Sequence, residues 1–496
     1  MIGRCRPAQQ FGAWRDDMPA VRRSRSFRAP PPDVPPATNV SVSSPSPPAS
    51  AGGEGDAPAP DLAGSGTGRA ARPLAALLCA LAISACATAP PVDTALIRDM
   101  AKATPEGRIS LLEHMDEGIS GQKFVGGNKV ELLRNGPKTY AAMAQAIEGA
   151  TREIDLESYT FDGKIGSQFA NLLLAKRAEG VEVNLVYDAW GSMDTSPALF
   201  QKLRAGGVHV LEFNPFHPNP RVPVDLNRRD HRKLLVVDGE VAITGGVNIS
   251  RVYENGPPPP GTPANADTLP WRDTDVRVSG PAAAEFEHMF MKTWHQQHGP
   301  PIGPPVRSPG WMRGKAVVEA VDGTPDKDRP AIYRTLLVAI TLARKSVHLT
   351  TGFFAPTPEL RHTLERAARR GVDVRIIVPH HSTSSLAIAA GRADYGDLLE
   401  SGVHILERHG VVLHAKTAVI DGDYSIVGSS NLDWRSVVYN NEIDAVVIDR
   451  DFGRQMEALF RQDEAHSTPV TLRAWEDRPL GERLEEWTAR LIEPLL

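Results

Sequence analysis

The chain repeats itself. Ala146-Ile147 and Ala150 recur as Ala339-Ile340 and Ala343, and each set opens into an apolar stretch, IDLESYTF at 154–161 and VHLTTGFF at 347–354. Helix-period segments follow and end in GV-x-V: LLLAKRAEGVEVNLVYD at 172–188 and TLERAARRGVDVRIIVP at 363–379. GVHVLE at 207–212 is then matched by GVHILE at 402–407. A chain that carries its whole alternation of segments twice folds as two copies of one unit. Helix-period segments alternating with β-branched runs are the pattern of an α/β domain with largely parallel strands. Two copies account for most of 107–470, with expected domains at 121–305 and 306–470 after a linker at 87–120. The segment 471–496 is expected to end in a packing helix, because GERLEEWTARLIEPLL at 481–496 sets Leu484, Trp487 and Leu491 on one helical face.

What precedes the repeat has a different composition. Gly and Pro, 42 each over the 496 residues, are denser in the first 70 positions than in the rest. That stretch holds too little apolar surface to offset its ordering entropy, so residues 1–72 read as a disordered extension. Arg69 and Arg72 then precede an apolar run that fits a signal-peptide core and is too short to span a bilayer. The run ends in Ile83-Ser84-Ala85-Cys86, similar to a bacterial lipobox, so 73–86 reads as a lipoprotein-type signal with Cys86 the lipid attachment site. Acylation there would anchor the body to a membrane surface of a bacterial envelope, facing the periplasm. Ala87 after the cysteine hints at the outer membrane.

Composition also removes classes of chemistry. The cysteines are Cys5, Cys79 and Cys86, so the body has no cysteine nucleophile, thiolate metal site or disulfide. A net charge of −5 argues against a strongly basic nucleic-acid binder. Gly64-Ser-Gly-Thr-Gly68 resembles a phosphate loop but follows no strand. Neither HExxH nor paired cysteines argue for zinc. A reaction must therefore rest on His, Lys, Asp/Glu, Ser or Asn.

Those residue types converge on one motif, present in each half with identical spacing. The first copy is His231-Arg232-Lys233, then Asp238, Gly245-Gly246 and Asn248; the second is His414-Ala415-Lys416, then Asp421, Gly428-Ser429 and Asn431. HRKLLVVD and HAKTAVID read as strands, in which His and Lys two apart project from one face. A neutral imidazole beside an ammonium suits an anionic substrate, the one offering a lone pair and the other charge. Gly246, Ser429, Asn248 and Asn431 would bring hydrogen-bond donors close to phosphoryl oxygens. Asp238 and Asp421 read equally as catalytic carboxylates or as turn-fixing ones. Glu157, Tyr159 and Phe161 alternate on one strand and read as core or cleft wall; His380-His381 reads as cleft lining or plain surface.

The doubled His-x-Lys-x4-Asp-x6-Gly-[Gly/Ser]-x-Asn motif resembles the signature of the phospholipase D superfamily. Flanking stretches such as YDAWGS (187–192), WRDTDVRVSGP (271–281) and GSSNLDWRSVVYNNE (428–442) are similar to bacterial cardiolipin synthase-like members. The resemblance implies two similar phospholipase D-like α/β domains packed about a pseudo-twofold axis, with the active site at their interface. It implies that one histidine attacks phosphorus to form a phosphohistidine while the other protonates the leaving alcohol. His231 is expected as nucleophile and His414 as acid/base, with Lys233, Lys416, the two asparagines and Ser429 holding the equatorial oxygens. A downstream carboxylate orients each imidazole: Glu442 for His414 and Asp273 for His231. The expected substrate is a phospholipid, with phosphatidylglycerol as donor and acceptor and with no metal, other cofactor, nucleic acid or obligate protein partner. Hydrolysis of phospholipids, nuclease action and a non-catalytic envelope role stay open on the same residues. Residues 253–270, too Pro-rich for regular structure, are a candidate cap over the cleft.

Overall fold

Two copies of one strand order, joined edge to edge, answer the repeat in the sequence. The computed structural model describes residues 105–216, 227–257, 269–304, 311–325, 330–382 and 385–479, together with 481, 483, 486, 488 and 489. The N-terminal extension, the segment ending at Cys86, the centre of 253–270 and Leu484, Trp487 and Leu491 lie outside the described residues. The described residues all belong to one unit, Thr67–Leu496.

The first half supplies β1 (Val125–Arg134), β2 (Glu153–Ser158), β3 (Glu182–Asp188), β4 (His209–Phe213), β5 (Arg229–Asp230), β6 (Lys233–Val237), β7 (Val241–Gly245), β8 (Trp271–Arg272) and β9 (Thr274–Ser279). The second supplies β10 (Ala316–Asp322), β11 (Ser346–Thr350), β12 (Asp373–His381), β13 (His404–Leu413), β14 (Thr417–Ile420), β15 (Tyr424–Gly428), β16 (Asn440–Asn441), β17 (Ile443–Ile448) and β18 (Ser467–Val470). The main sheet runs β18-β13-β12-β11-β14-β15-β17-β10-β1-β9-β7-β6-β2-β3-β4. Outward from the antiparallel β1–β10 seam the halves match strand for strand: β9 with β17, β7 with β15, β6 with β14, β2 with β11, β3 with β12, β4 with β13. An antiparallel pair is itself twofold-related, so this seam generates the pseudo-twofold arrangement.

The sheet is mixed, and this corrects the expectation of largely parallel strands. Among the described residues, only β2–β3–β4 and β11–β12–β13 are parallel ladders within each half. One antiparallel pair in each half follows from an Asp-Gly turn. Asp238-Gly239 has φ of 54° and 63°, and Asp421-Gly422 has 54° and 75°. With Val237 opposite Val241 and Ile420 opposite Tyr424, three residues close each loop, and the left-handed φ at Asp and Gly turns the chain back on itself, so β6–β7 and β14–β15 are antiparallel.

Each half buries its own core between the sheet and its helices. Ile147, Ile154, Phe169, Leu173 and Leu185 serve the first, and Leu337, Ile340, Leu349, Leu364 and Ile376 the second. A third cluster crosses the seam, where Val278, Phe290, Trp294, Val318, Val447 and Phe452 pack together under the helices Ala283–Gln296 and Arg450–Glu464. At about 1.5–3 kcal/mol for each large apolar side chain buried, this shared cluster binds the halves more firmly than any surface contact. Two short parallel ladders also cross between halves: β5 pairs β16, and β8 pairs the end of β13.

Candidate active site

Those two ladders decide the chemistry's geometry. In one, Asp230 lies opposite Asn441, so the next residues on each side are His231 and Glu442. In the other, Leu413 lies opposite Arg272, so His414 meets Asp273. Backbone bonds hold both junctions: His231 N donates to Asn441 O at 2.9 Å and His414 N to Arg272 O at 2.8 Å. The side chains follow. His231 Nδ1 is 3.0 Å from both carboxylate oxygens of Glu442, and His414 Nδ1 is 2.8 Å from Asp273 Oδ2. The pairing is therefore crossed, each imidazole being held by a carboxylate from the other half. This corrects the expectation of Asp273 for His231 and Glu442 for His414.

An ionised carboxylate only accepts hydrogen bonds, so each Nδ1 carries the proton and each Nε2 presents a lone pair. The two rings stand 6.5 Å apart between centroids, at 71°, and both line a cleft enclosing about 1210 Å³ of space continuous with solvent. Aromatic rings form its walls: Tyr159 lies edge-on to His231 at 5.2 Å, and Trp271 tilts over His414 at 5.1 Å. The Tyr253 hydroxyl also reaches His414 Nδ1, at 3.2 Å.

Burial governs the protonation states. It pushes His231 down to about 4 and His414 well below the ordinary imidazole value, so both are neutral in the empty cleft. The two orienting carboxylates differ. Burial raises Asp273 to about 6. Burial acts the same way on Glu442, but His231, Lys233 and the Ser429 hydroxyl outweigh it and hold the group below its usual value. Ser429 Oγ donates to Glu442 at 2.5 Å, Ser436 Oγ at 2.9 Å and Asn440 Nδ2 at 3.3 Å. Glu442 thus stays charged, and His231 sits against the more firmly ionised partner.

Lys233 and Lys416 are buried, and each ammonium bonds the carbonyl of its own motif histidine. Desolvation lowers them to about 7 and about 8. Lys233 Nζ lies 5.2 Å from the centre of the Tyr159 ring, itself part of the cleft wall. Asn248 and Asn431 both line the cleft. Asn248 Oδ1 accepts from Thr160 N at 3.2 Å, whereas the buried Asn431 Oδ1 has no hydrogen-bond partner among the described residues.

Other expected site residues lie elsewhere. Gly246 and Ser429 do not reach the cleft. A Cβ on Gly246 would stand 2.1 Å from Asp273 Oδ1, so glycine is what lets Asp273 approach, and Ser429 turns its hydroxyl onto Glu442. Both therefore act on the orienting carboxylates rather than on phosphoryl oxygens. Asp238 and Asp421 sit at the far ends of β6 and β14. Asp238 accepts from the backbone N–H of Thr151, Arg152 and Glu153, and Asp421 from those of Arg344, Lys345 and Ser346. Their turn-fixing reading holds and the catalytic one falls, because the seven-residue spacing carries them the length of a strand from the imidazoles. Glu157 and Phe161 are buried off the cleft while Tyr159 lines it, and His380-His381 does not line it.

Several contributors gave no signal in the motif. Arg232, replaced by Ala415 in the second copy, is fully buried and reaches across to Glu442 O at 3.0 Å while pairing with Asp322 and Thr293. Arg272 pairs with Asp463 at 2.7 Å and so fixes the strand before Asp273. Asp275 and Asp444 accept from the turn N–H groups of Val247 and Ser429, both at 3.1 Å. The matching stretches WRDTD and NNEID were the clue to these last two.

The family model described as "Cardiolipin synthase, PLD-like domain" matches residues 143–255 and 336–464. The cardiolipin synthase of Geobacillus thermodenitrificans is 32% identical over 373 residues, covering 74% of this chain and 72% of that protein. Cardiolipin synthase 2 of Bacillus anthracis is 31% identical over 375 residues, 73% of this chain and 70% of that one. Among solved structures, a phosphatidylserine synthase of Haemophilus influenzae is similar in fold, with a TM-score of 0.58 at 13% identity over 78% of this chain and all of that one.

Proposed function

Since the chain belongs to the phospholipase D superfamily, in its cardiolipin synthase branch, we propose that it transfers a phosphatidyl group from one phospholipid to an alcohol acceptor. Phosphatidylglycerol serves as donor and acceptor, and cardiolipin and glycerol leave. The observation that carries the reading is the crossed pair of imidazole–carboxylate units facing each other at 6.5 Å. That separation is on the order of twice a near-attack distance of 3–3.5 Å, which leaves room for one phosphorus between two nitrogens.

In the proposed first step His231 Nε2 attacks phosphorus. The anionic phosphodiester, entering beside His414, offsets the desolvation that holds this imidazole neutral and lets it take up a proton from solvent; as the P–O bond to the leaving glycerol breaks, His414 delivers that proton to the oxygen. A phosphohistidine results. Neutral His414 then takes the proton of the acceptor hydroxyl, whose oxygen attacks phosphorus as the P–N bond breaks and His231 is released. His231 is assigned the nucleophilic role because Glu442, held ionised by Ser429, Ser436 and Asn440, draws on its Nδ1 proton and enriches Nε2. Lys233 and Lys416, held more firmly protonated once the phosphodiester arrives, stabilise the charge on its equatorial oxygens, with the Asn431 and Asn248 amides as hydrogen-bond donors. Glu442 and Asp273 orient the rings. We propose further that Cys86 is acylated and holds this body at a periplasmic membrane surface. A gel-mobility shift on inhibiting lipoprotein signal peptidase tests that.

Incubation of the purified protein with labelled phosphatidylglycerol tests the function. Cardiolipin plus glycerol supports transfer, phosphatidic acid would show hydrolysis instead, and neither product alongside cleaved DNA would show a nuclease. His231→Ala and His414→Ala each abolish turnover, and only wild type and acid/base variants yield an acid-labile phosphoprotein. EDTA leaves turnover in place; loss restored by a divalent ion would overturn the two-lysine account.

A further inference from the structure

On the second half, outside the cleft lining, three metal-type donors meet on adjacent strands. β12 and β13 run parallel with Pro379 opposite Arg408; the register shifts just beyond, and there His380 and His409 lie side by side. Glu407, two residues before His409, shares its face. The two imidazole rings are 3.8 Å apart between centroids and tilted by 35°. His380 Nδ1 is 2.8 Å from Glu407 Oε2, and one donor atom from each of the three residues lies within 4.8 Å of the others. Arg392 Nη2 holds the other Glu407 oxygen at 2.9 Å, and the His381 ring stands 4.6 Å from His380.

Glu407 already pairs with His380 and Arg392, but the His409 ring, stacked on His380 at 3.8 Å, adds no further ion pair among the described residues, and all three donors are only half-buried. Two neutral imidazoles and one carboxylate are instead the donor set that zinc takes with three protein ligands and one open position. Copper(II) and nickel(II) favour the same nitrogens, whereas magnesium and calcium need oxygen ligands. Arg392 supplies the outer-shell contact that orients a ligating carboxylate. We propose that His380, His409 and Glu407 bind one divalent transition-metal ion, zinc in the first instance.

The position gives the site a consequence. β13 continues from His409 to Leu413, and the next residue is His414. An ion bridging β12 and β13 stiffens the strand that delivers this imidazole, while the phosphatidyl chemistry itself proceeds without it.

The test uses the full chain with any affinity tag removed, stripped with EDTA, then titrated with zinc against a chromophoric chelator. Wild type binds one equivalent more than the His380→Ala/His409→Ala double variant; equivalents common to both lie outside the cluster. Glu407→Gln weakens that equivalent at least tenfold, and His362→Ala, an exposed histidine outside the cluster, leaves it unchanged. Saturating zinc raises the thermal midpoint of wild type but not of the double variant. Equal stoichiometry in wild type and double variant, or equal zinc-induced midpoint shifts, overturns the site. The single variant His409→Ala repeats the comparison should the double variant fail to fold.

Discussion

Replacing Glu442 by glutamine keeps the shape of a fully buried side chain, removes its charge and turns one acceptor into a donor. In the native site both oxygens lie 3.0 Å from His231 Nδ1, and three further donors converge on the carboxylate. The Ser429 and Ser436 hydroxyls can accept as well as donate, so the new amide nitrogen has partners and the fold survives. What is lost is a charge-assisted hydrogen bond to a developing imidazolium, worth about 1.5–3 kcal/mol. At about 1.36 kcal/mol per decade of rate, kcat falls roughly 10- to 150-fold with little change in KM. Rapid-quench measurement places the loss in formation of the phosphohistidine. Nitrogen-15 spectra of histidine-labelled protein locate the contact: the ring signals of His231 move and those of His414 stay. Movement at His414 with His231 unchanged would refute the crossed pairing, and an undiminished kcat would refute any role for the carboxylate.

The free-enzyme pH profile of kcat/KM is a bell. Asp273, raised to about 6, loses its charge as pH falls below that value and releases His414, while Lys233 and Lys416 at about 7 and about 8 lose their protons as pH rises. The maximum falls between the two limbs, and a flat profile from pH 6 to 9 would contradict it. Gly246→Ala pushes a Cβ against Asp273 Oδ1 and lowers kcat by about 100-fold, on the order of 2.7 kcal/mol, with the KM for lipid little changed. Asp238→Ala strips three backbone N–H groups of their acceptor, lowering stability by roughly 2 kcal/mol in a denaturant melt while turnover per folded molecule stays within about twofold. A large kcat loss there without destabilisation would restore a catalytic reading for Asp238.

Local sequence carries whatever depends on neighbours along the chain. The repeat announced two like domains, the motif spacing identified both histidine–lysine pairs, and the buried β-branched runs marked the central strands, because periodicity and spacing are one-dimensional properties. The Asp-Gly pairs at 238–239 and 421–422 also carry a hairpin signal, which accounts for β6–β7 and β14–β15 but not for the other antiparallel pairs. Which carboxylate serves which imidazole is a different kind of fact. His231 and Glu442 are 211 residues apart and meet only because β5 and β16 pair across the halves, a register that no local pattern encodes. The same holds for Arg232, whose partners come from three other segments, and for Asp238, whose spacing resembles a catalytic position until the strand's length carries it away. Residue types and their intervals determined the chemistry available to this chain; long-range strand pairing alone determined which groups touch, because such contacts are fixed by packing that the linear order does not contain.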